Sequence, residues 1–181
     1  MENKVHEKSF FAGFGGQGII SMGQIWVYFG MKEGKNVSFY PFYGAEKRGG
    51  IARAGVIISD EEIDSPLVTI PDSVVVMNID SLPLCEKIVK QGGLMLINST
   101  LVKQEPQRKD IKVVNLEASG LATKLGHIRC ANMVALGALA KLTGFLKLQN
   151  TDEVLKSFFP PDKHKFISEN TDAIRAGFEA V

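Results

Sequence analysis

The strongest fold signal in this chain is the segment Ser9-Phe10-Phe11-Ala12-Gly13-Phe14-Gly15-Gly16-Gln17-Gly18. It is typical of a strand, a glycine-rich turn and the start of a helix, and Gly13, Gly15 and Gly18 fit the pattern G-x-G-x-x-G. Such glycines allow a tight turn, close approach of the backbone to a phosphate, and close packing of helix on strand. The unpaired N–H groups that begin the helix favour an anion. The stretch therefore predicts an α/β fold with a turn suited to phosphate.

One half of the usual dinucleotide-binding pattern is missing. In that pattern an Asp or Glu lies about 20 residues further on, at the end of the second strand, and binds the ribose hydroxyls. The second strand is predicted at residues 36–40, and Pro41-Phe42-Tyr43 follows it without an acid. Glu33 precedes the strand, in the turn after the helix, where it cannot contact a ribose. The pattern supports the fold more strongly than it supports a dinucleotide.

Strands and helices alternate along the rest of the chain. Apolar runs predict strands at 52–59, 73–78, 94–98 and 111–116, and helices at 19–31, 82–91, 118–125, 131–145, 166–178 and from an N-cap at Thr151. Asp60-Glu61-Glu62 predicts a turn that folds residues 63–66 back on the strand at 52–59 as a hairpin. We therefore predict a single doubly wound, Rossmann-like α/β domain at residues 9–181, with a mostly parallel sheet, an antiparallel hairpin, and a polar N-terminal extension at 1–8.

Composition excludes several classes of function. The 181 residues have a formal net charge of +1, and their Lys and Arg residues are scattered rather than clustered, which argues against nucleic acid and anionic membranes as partners. The first eight residues are polar, so we expect no signal peptide and a cytoplasmic location. The apolar helix at 19–31 is too short and too rich in glycine to cross a bilayer.

The sequence offers no catalytic residue and no metal site of its own. Cys85 and Cys130 lie in apolar surroundings and are predicted to be free and buried. Two cysteines cannot ligate a four-iron cluster, which needs four thiolates. His6, His127 and His164 are far apart and lack the spacing of metal ligands. The pair formed by Cys130 and His127 is predicted to be a neighbour pair at a helix entry rather than a nucleophile and its base.

A second motif occupies the place of the missing acid: Pro41-Phe42-Tyr43-Gly44-Ala45-Glu46-Lys47-Arg48-Gly49-Gly50. Open α/β sheets bind ligands with loops at the carboxyl ends of their strands. Arg48 is suited to hold a carboxylate or phosphate through two hydrogen bonds, and Glu46 to orient Arg48 or to contact another subunit. A polar, solvated loop without such a role is the alternative.

Together the two motifs resemble those of the gamma subunit of the 2-oxoacid:ferredoxin (acceptor) oxidoreductase family, of the 2-oxoglutarate, pyruvate or 2-ketoisovalerate type. In that family a strand–G-x-G-G-Q-G–helix unit is followed by a Tyr-Gly-Ala-Glu-x-Arg-Gly-Gly loop. Later segments match as well, and the resemblance runs from about Phe11 to the end of the chain. These segments are Ile63-Asp64-Ser65-Pro66, Asn98-Ser99-Thr100 and Asn132-Met133-Val134-Ala135-Leu136-Gly137-Ala138-Leu139.

The resemblance implies a subunit of an enzyme that converts a 2-oxoacid, coenzyme A and oxidised ferredoxin to acyl-CoA, carbon dioxide and reduced ferredoxin. Alpha, beta and ferredoxin-like delta subunits would be its partners, with ferredoxin as electron acceptor. Thiamine diphosphate, magnesium and iron–sulfur clusters would belong to the other subunits, because this chain lacks a Gly-Asp-Gly segment and has two cysteines. The chain alone would hold no cofactor and be inert, although a homodimer is compatible with it. 2-Oxoglutarate is the favoured substrate.

The predicted cofactor-binding residues come from both motifs and from two later polar positions. They are Gly13, Gly15, Gly16, Gln17, Gly18, Gly44, Glu46, Arg48, Gly49, Asn98, Ser99 and Asn132. For the glycine turn, binding of a coenzyme A phosphate and a pure packing role stay open, and Gln17 either contacts a partner or satisfies the turn. Asn98, Ser99 and Asn132 are alternatively capping residues.

Two rival functions remain at this point. One is an autonomous nucleotide-binding enzyme, either a nicotinamide dehydrogenase or an adenylating enzyme, because the residues from Gly13 to Gly18 also match the G-x-G-G-x-G turn of the latter. The other is a non-catalytic assembly module whose turn binds nothing.

Overall fold

Six strands form one sheet in the order β2-β3-β1-β4-β5-β6, with helices on both faces. The computed structural model describes residues 4–43 and 50–181. The strands are β1 (His6–Phe14), β2 (Asn36–Tyr43), β3 (Ile51–Ser59), β4 (Ser73–Val76), β5 (Leu94–Asn98) and β6 (Lys112–Leu116). The helices are α1 (Ile19–Lys32), α2 (Leu82–Ile88), α3 (Ala118–Lys124), α4 (Ala131–Thr143), α5 (Thr151–Phe158) and α6 (Ile167–Glu179). Short 3₁₀ turns lie at Ile79–Ser81, Ile128–Cys130, Leu148–Asn150 and Pro161–Phe166.

The sheet is mostly parallel, which confirms the predicted fold class. Strands β1, β4, β5 and β6 run parallel to one another, and β3 runs antiparallel to both β1 and β2. The predicted hairpin partner of β3 is wrong. Residues 63–66 form no strand, because both edges of β3 are already occupied by β1 and β2. The connection that follows contacts the sheet through Val68, which packs over Gly55.

The first strand begins inside the segment that was predicted as a polar extension. His6, Glu7 and Lys8 pair with the far end of β3, where His6 lies opposite Ser59. The preceding backbone N–H of Val5 donates a hydrogen bond to the Asp60 carboxylate at 2.6 Å. These polar residues can form part of β1 because the hydrogen-bonded pairing of β1 with β3 extends beyond the apolar core.

The two faces of the sheet carry separate cores, because successive strand residues point to opposite sides. On the first face, Phe11 packs with Trp26 of α1 and with the central helix α4. Helices α4 and α6 cross with almost no space between their backbones, since a Cβ at Gly137 would lie 1.8 Å from the carbonyl oxygen of Ile174. On the second face, Phe10 and Ala12 pack with residues of α2.

Two smaller predictions have definite outcomes. Cys85 and Cys130 are both free and buried, as predicted. Thr151 is not the N-cap of α5: it is the first helical residue, and its hydroxyl donates to the carbonyl oxygen of Leu148 at 2.5 Å.

Within the described residues, no helix has both the length and the apolar character needed to cross a membrane.

Candidate functional site

The carboxyl ends of β1 and β4 meet at the point where the chain changes direction across the sheet. From β1 the chain continues through α1 towards β2, and from β4 it continues through α2 to β5 on the opposite side. In open α/β sheets, ligands bind in the crevice at such a point. The glycine turn that follows β1 forms one wall of this crevice.

Gln17 fastens the turn to the end of β4. Its Oε1 accepts a hydrogen bond from the backbone N–H of Phe14 at 2.6 Å, and its Nε2 donates to the carbonyl oxygen of Met77 at 3.0 Å. The side chain therefore satisfies the turn, which is one of its two predicted roles. The same residue also lines a cavity in the crevice.

The glycines of the turn have different tasks. Gly16 and Gly18 have φ angles of 95° and 73°, in the left-handed region that favours glycine. Gly15 is outside this region, and its N–H donates to the carbonyl oxygen of Gly50 at 2.9 Å. A Cβ at Gly13 would lie 2.7 Å from the Oε1 of Gln17, so Gly13 permits the side chain of Gln17 to fold over the turn. The N–H of Gly15 is engaged inside the protein rather than turned to a ligand.

Asn132 joins the glycine turn to α4. Its Nδ2 donates to the carbonyl oxygen of Gly18 at 3.2 Å, and the residue is buried. The alternative interpretation of Asn132 as a helix cap is wrong, because it is the second residue of α4 and no side chain caps that helix. The structure places it beside the turn, next to the crevice.

Asn98 and Thr100 hold the beginning of α3 against the end of β5. The Nδ2 of Asn98 donates to the hydroxyl of Ser119 at 2.8 Å, and its Oδ1 accepts from the N–H of Ser119 at 3.2 Å. The hydroxyl of Thr100 accepts from the N–H of Gly120 at 3.1 Å. These residues act as caps, but on a helix much further along the chain than the segment that follows them. A direct ligand contact by Asn98 or Ser99 stays a prediction.

The crevice contains a cavity of about 330 Å³. Its lining residues are Gly16, Gln17, Met77, Ser119, Ile128, Arg129 and Ala131. Arg129 is exposed and, among the described residues, forms no salt bridge. With the positive end of α1 on the opposite wall, the cavity is suited to an anion.

Sequence reasoning missed Arg129 and Ser119. A signal for Arg129 was present, because a cation stands three residues before Asn132 at the entry of a long apolar helix. Ser119 carried no signal of its own.

No group of three metal-ligating side chains occurs in the parts of the chain that the structure describes. Of the second motif, the predicted residues Gly44, Glu46, Arg48 and Gly49 lie outside the described residues.

Comparison with known proteins identifies related chains. Residues 8–180 match the family model described as pyruvate ferredoxin/flavodoxin oxidoreductase. The chain is 38% identical over 170 residues to the ketoisovalerate oxidoreductase subunit VorA of Methanothermobacter thermautotrophicus, covering 93% of this chain and 35% of VorA. It is 34% identical to the 2-oxoglutarate synthase subunit KorC of Methanothermobacter marburgensis, covering 94% of both chains. The chain thus spans about a third of VorA but nearly all of KorC.

Two solved structures share the fold over almost the whole chain. The gamma subunit of a keto/oxoacid ferredoxin oxidoreductase from Geobacter sulfurreducens superposes with a TM-score of 0.82 at 28% identity, covering 96% of this chain and 97% of that one. The 2-oxoglutarate:ferredoxin oxidoreductase of Magnetococcus marinus, described with 2-oxoglutarate, coenzyme A and succinyl-CoA bound, superposes with a TM-score of 0.85 at 26% identity. That match covers 99% of this chain and 32% of the Magnetococcus chain.

Proposed function

This chain belongs to the pyruvate ferredoxin/flavodoxin oxidoreductase family, and we propose that it acts as the gamma subunit of a 2-oxoacid:ferredoxin oxidoreductase. The complex would convert a 2-oxoacid, coenzyme A and oxidised ferredoxin to acyl-CoA, carbon dioxide and reduced ferredoxin. The observation that carries this proposal is the match to stand-alone gamma-type chains over nearly their full length.

The chain's own residues do not fit the redox groups of such a complex. Cys85 packs in the core on the second face of the sheet and Cys130 in the core on the first face, so their sulfur atoms cannot share a cluster. A four-iron cluster also needs four thiolates. The sequence contains no Gly-Asp-Gly segment for the diphosphate of thiamine diphosphate. Decarboxylation and electron transfer therefore belong to groups held by other subunits.

We assign to this chain a share in binding coenzyme A. The molecule carries phosphate groups, and the crevice offers the guanidinium of Arg129 opposite the start of α1. The related protein from Magnetococcus marinus is described with coenzyme A bound, which supports the class of ligand. The residues of the second motif, with Arg48 foremost, are proposed to add contacts to coenzyme A.

The partners proposed are the alpha, beta and ferredoxin-like delta subunits, with ferredoxin as the electron acceptor. This chain matches 35% of VorA and 32% of the Magnetococcus chain. In each of those proteins the matching part is therefore continuous with the rest of the same polypeptide, about two thirds of its length. The exposed side chain of Ile128 lies at the crevice, where it is suited to contact another subunit. Burial of this edge in the complex would close the active site against water.

Among 2-oxoacids we favour 2-oxoglutarate, because KorC chains match over nearly their whole length. The common gamma subunit of the pyruvate and ketoisovalerate oxidoreductases of Thermococcus litoralis matches 94% of its length at 31% identity, so those acids must be assayed too. The test is to purify the native complex through a tag on this chain and to follow ferredoxin reduction with each 2-oxoacid. We expect oxidation that depends on coenzyme A, fastest with 2-oxoglutarate. If the chain is recovered without partners, or none of the three acids is oxidised, the proposal fails.

One observation favours the rival role as a non-catalytic assembly module. Both side-chain hydrogen bonds of Gln17, one accepted and one donated, and the bond from the N–H of Gly15 are made within the protein, as in a turn built only for packing. If the crevice binds coenzyme A, substitutions there should raise the KM for coenzyme A. If the chain is only an assembly module, they should leave that KM unchanged.

A further inference from the structure

A group of polar side chains lies on the second face of the sheet, away from the cavity that contains Arg129. Arg53 of β3 stands opposite Ala12 of β1, and Ala12 stands opposite Val76 of β4. Residues in register on neighbouring strands project to the same face, so Arg53 points to the face that α2 covers. The backbone stays extended at Asn78, two residues beyond Val76, and its side chain therefore projects to the same face.

Arg53 extends over the small side chain of Ala12 towards α2. The thiol of Cys85, on the inner side of α2, has its pKa raised to about 12 by burial, and the nearby positive charge of Arg53 acts in the opposite direction. Ser81 lies four residues before Cys85, one helical turn away, and both side chains are fully buried. Arg53, Asn78 and Ser81 therefore converge at the carboxyl end of β4.

The polar atoms of these three residues lack partners. Within residues 4–43 and 50–181, the Nε of Arg53, both Nδ2 and Oδ1 of Asn78, and the Oγ of Ser81 are buried and make no hydrogen bond. Asn78 is 3% exposed and Ser81 is not exposed at all. Buried amides and hydroxyls are nearly always hydrogen-bonded, because leaving them unpaired is costly. Four such atoms on three residues near the carboxyl end of β4 therefore need a hydrogen-bonding partner.

We propose that Arg53, Asn78 and Ser81 form a binding subsite for an oxyanion, a carboxylate or phosphate group of a small molecule. The guanidinium, the Ser81 hydroxyl and the Asn78 Nδ2 donate to the anionic oxygens. The Oδ1 of Asn78 accepts a hydrogen bond from an N–H or O–H of the ligand or from a water molecule bound beside it. The residues of this subsite face the α2 side of the sheet and are not among those that line the proposed coenzyme A cavity.

The test is a titration of the ¹⁵N-labelled full chain, read at the Nε–H resonance of Arg53 and the side-chain amide of Asn78. Inorganic phosphate, acetate and 2-oxoglutarate are added separately at ionic strength held constant with sodium chloride. We expect saturable shifts of both resonances with at least one of the three probes. Saturation by phosphate alone identifies a phosphorylated ligand, and saturation by acetate or 2-oxoglutarate alone identifies a carboxylate. Absence of a saturable shift with every probe overturns the proposal.

Variants at and away from the subsite test whether the shifts of the Arg53 and Asn78 resonances arise from binding there. Arg53→Gln should weaken binding about tenfold or more, because a charge-assisted pair of hydrogen bonds is lost. Arg175→Gln, at an exposed arginine of α6, and Arg129→Ala, on the other face, should leave the titration unchanged. Ser81→Ala removes one hydroxyl from the same place and provides a second test if Arg53→Gln does not fold. Unchanged affinity in either Arg53→Gln or Ser81→Ala contradicts the assignment.

Discussion

The side-chain amide of Asn132 donates a hydrogen bond to the carbonyl oxygen of Gly18 at 3.2 Å, across 114 residues of sequence. This contact fixes the start of α4 against the start of α1. A Cβ at Gly18 would overlap the Nδ2 of Asn132, so a larger residue at position 18 would force the Asn132 side chain to move. The glycine turn and the Asn132 segment are thus two halves of one structural unit.

Gly18→Ala should destabilise the fold more than Gly16→Ala. Both glycines have positive φ, but a Cβ at Gly16 would meet no atom within 4 Å. Gly16→Ala should therefore carry only the backbone penalty, about 1–2 kcal/mol. Gly18→Ala adds the overlap with Asn132, about 1–3 kcal/mol more. Urea denaturation of the two variants measures the difference.

A double-mutant cycle separates the overlap from the backbone strain. In Asn132→Ala the overlapping amide is gone, so adding Gly18→Ala to it should cost about 1 kcal/mol less than in the wild type. Equal losses in Gly16→Ala and Gly18→Ala, together with strict additivity in the cycle, would show that the contact does not restrict position 18.

A half-buried carboxylate at the opposite edge of the sheet makes stability depend on pH. Glu7 accepts a hydrogen bond from the hydroxyl of Ser73 at 2.6 Å, and Ser9 next to it accepts one from the indole of Trp26 at 3.1 Å. Burial, partly offset by the bond from Ser73, raises the pKa of Glu7 from 4.5 to about 7. The folded chain therefore keeps a proton that the unfolded chain has already lost.

The contribution of Glu7 to stability should fall as pH rises from about 4.5 to about 7 and stay constant above that. Glu7→Gln removes the ionisation and should be more stable than the wild type at pH 8, by on the order of 1–3 kcal/mol, and much closer to it at pH 4.5. Chemical denaturation across this range gives the curve. The exposed Glu62→Gln is the control. A gap between Glu7→Gln and wild type that does not change with pH would refute a raised pKa.

The chain alone should bind no nicotinamide or flavin dinucleotide. In a dinucleotide fold the strand beside the first one carries the acid for the ribose. Here β3 occupies that position and runs antiparallel, so it presents Gly50 and Ile51 at the crevice. Strand β2 is one strand further away, about 10 Å from β1. Calorimetric titrations with NAD, NADP and FAD are the test, and saturable low-micromolar binding of any one would contradict the topology argument.

The parallel part of the fold could be predicted from sequence because its signals are local. Continuous apolar runs such as Leu94–Asn98 identify buried strands, and the spacing of glycines marks the turn after β1. The position of β3 could not be predicted in this way. Its insertion between β1 and β2 is set by pairing over long sequence separations, as between His6 and Ser59, and the turn residues after Ser59 wrongly suggested a local hairpin.

The same distinction applies to the candidate site, where residues with a local sequence signal could be predicted and residues brought in by packing could not. Gln17 and the glycines were identified because their spacing is itself the signal. Arg129 and Ser119 enter the cavity only because α3 and α4 pack at the carboxyl edge of the sheet. The polar group of Arg53, Asn78 and Ser81 could not be predicted for the same reason, because it joins β3 to the turn after β4.

If the crevice takes part in binding coenzyme A, Arg129→Ala should impair the use of coenzyme A by the reconstituted complex. The variant should raise the KM for coenzyme A about tenfold or more, because a charge-assisted contact to phosphate is lost, and leave the KM for the 2-oxoacid unchanged. Arg175→Ala is the matched control for loss of an exposed arginine. If assembled Arg129→Ala uses coenzyme A as the wild type does, the crevice is not its site and the glycine turn is a packing device.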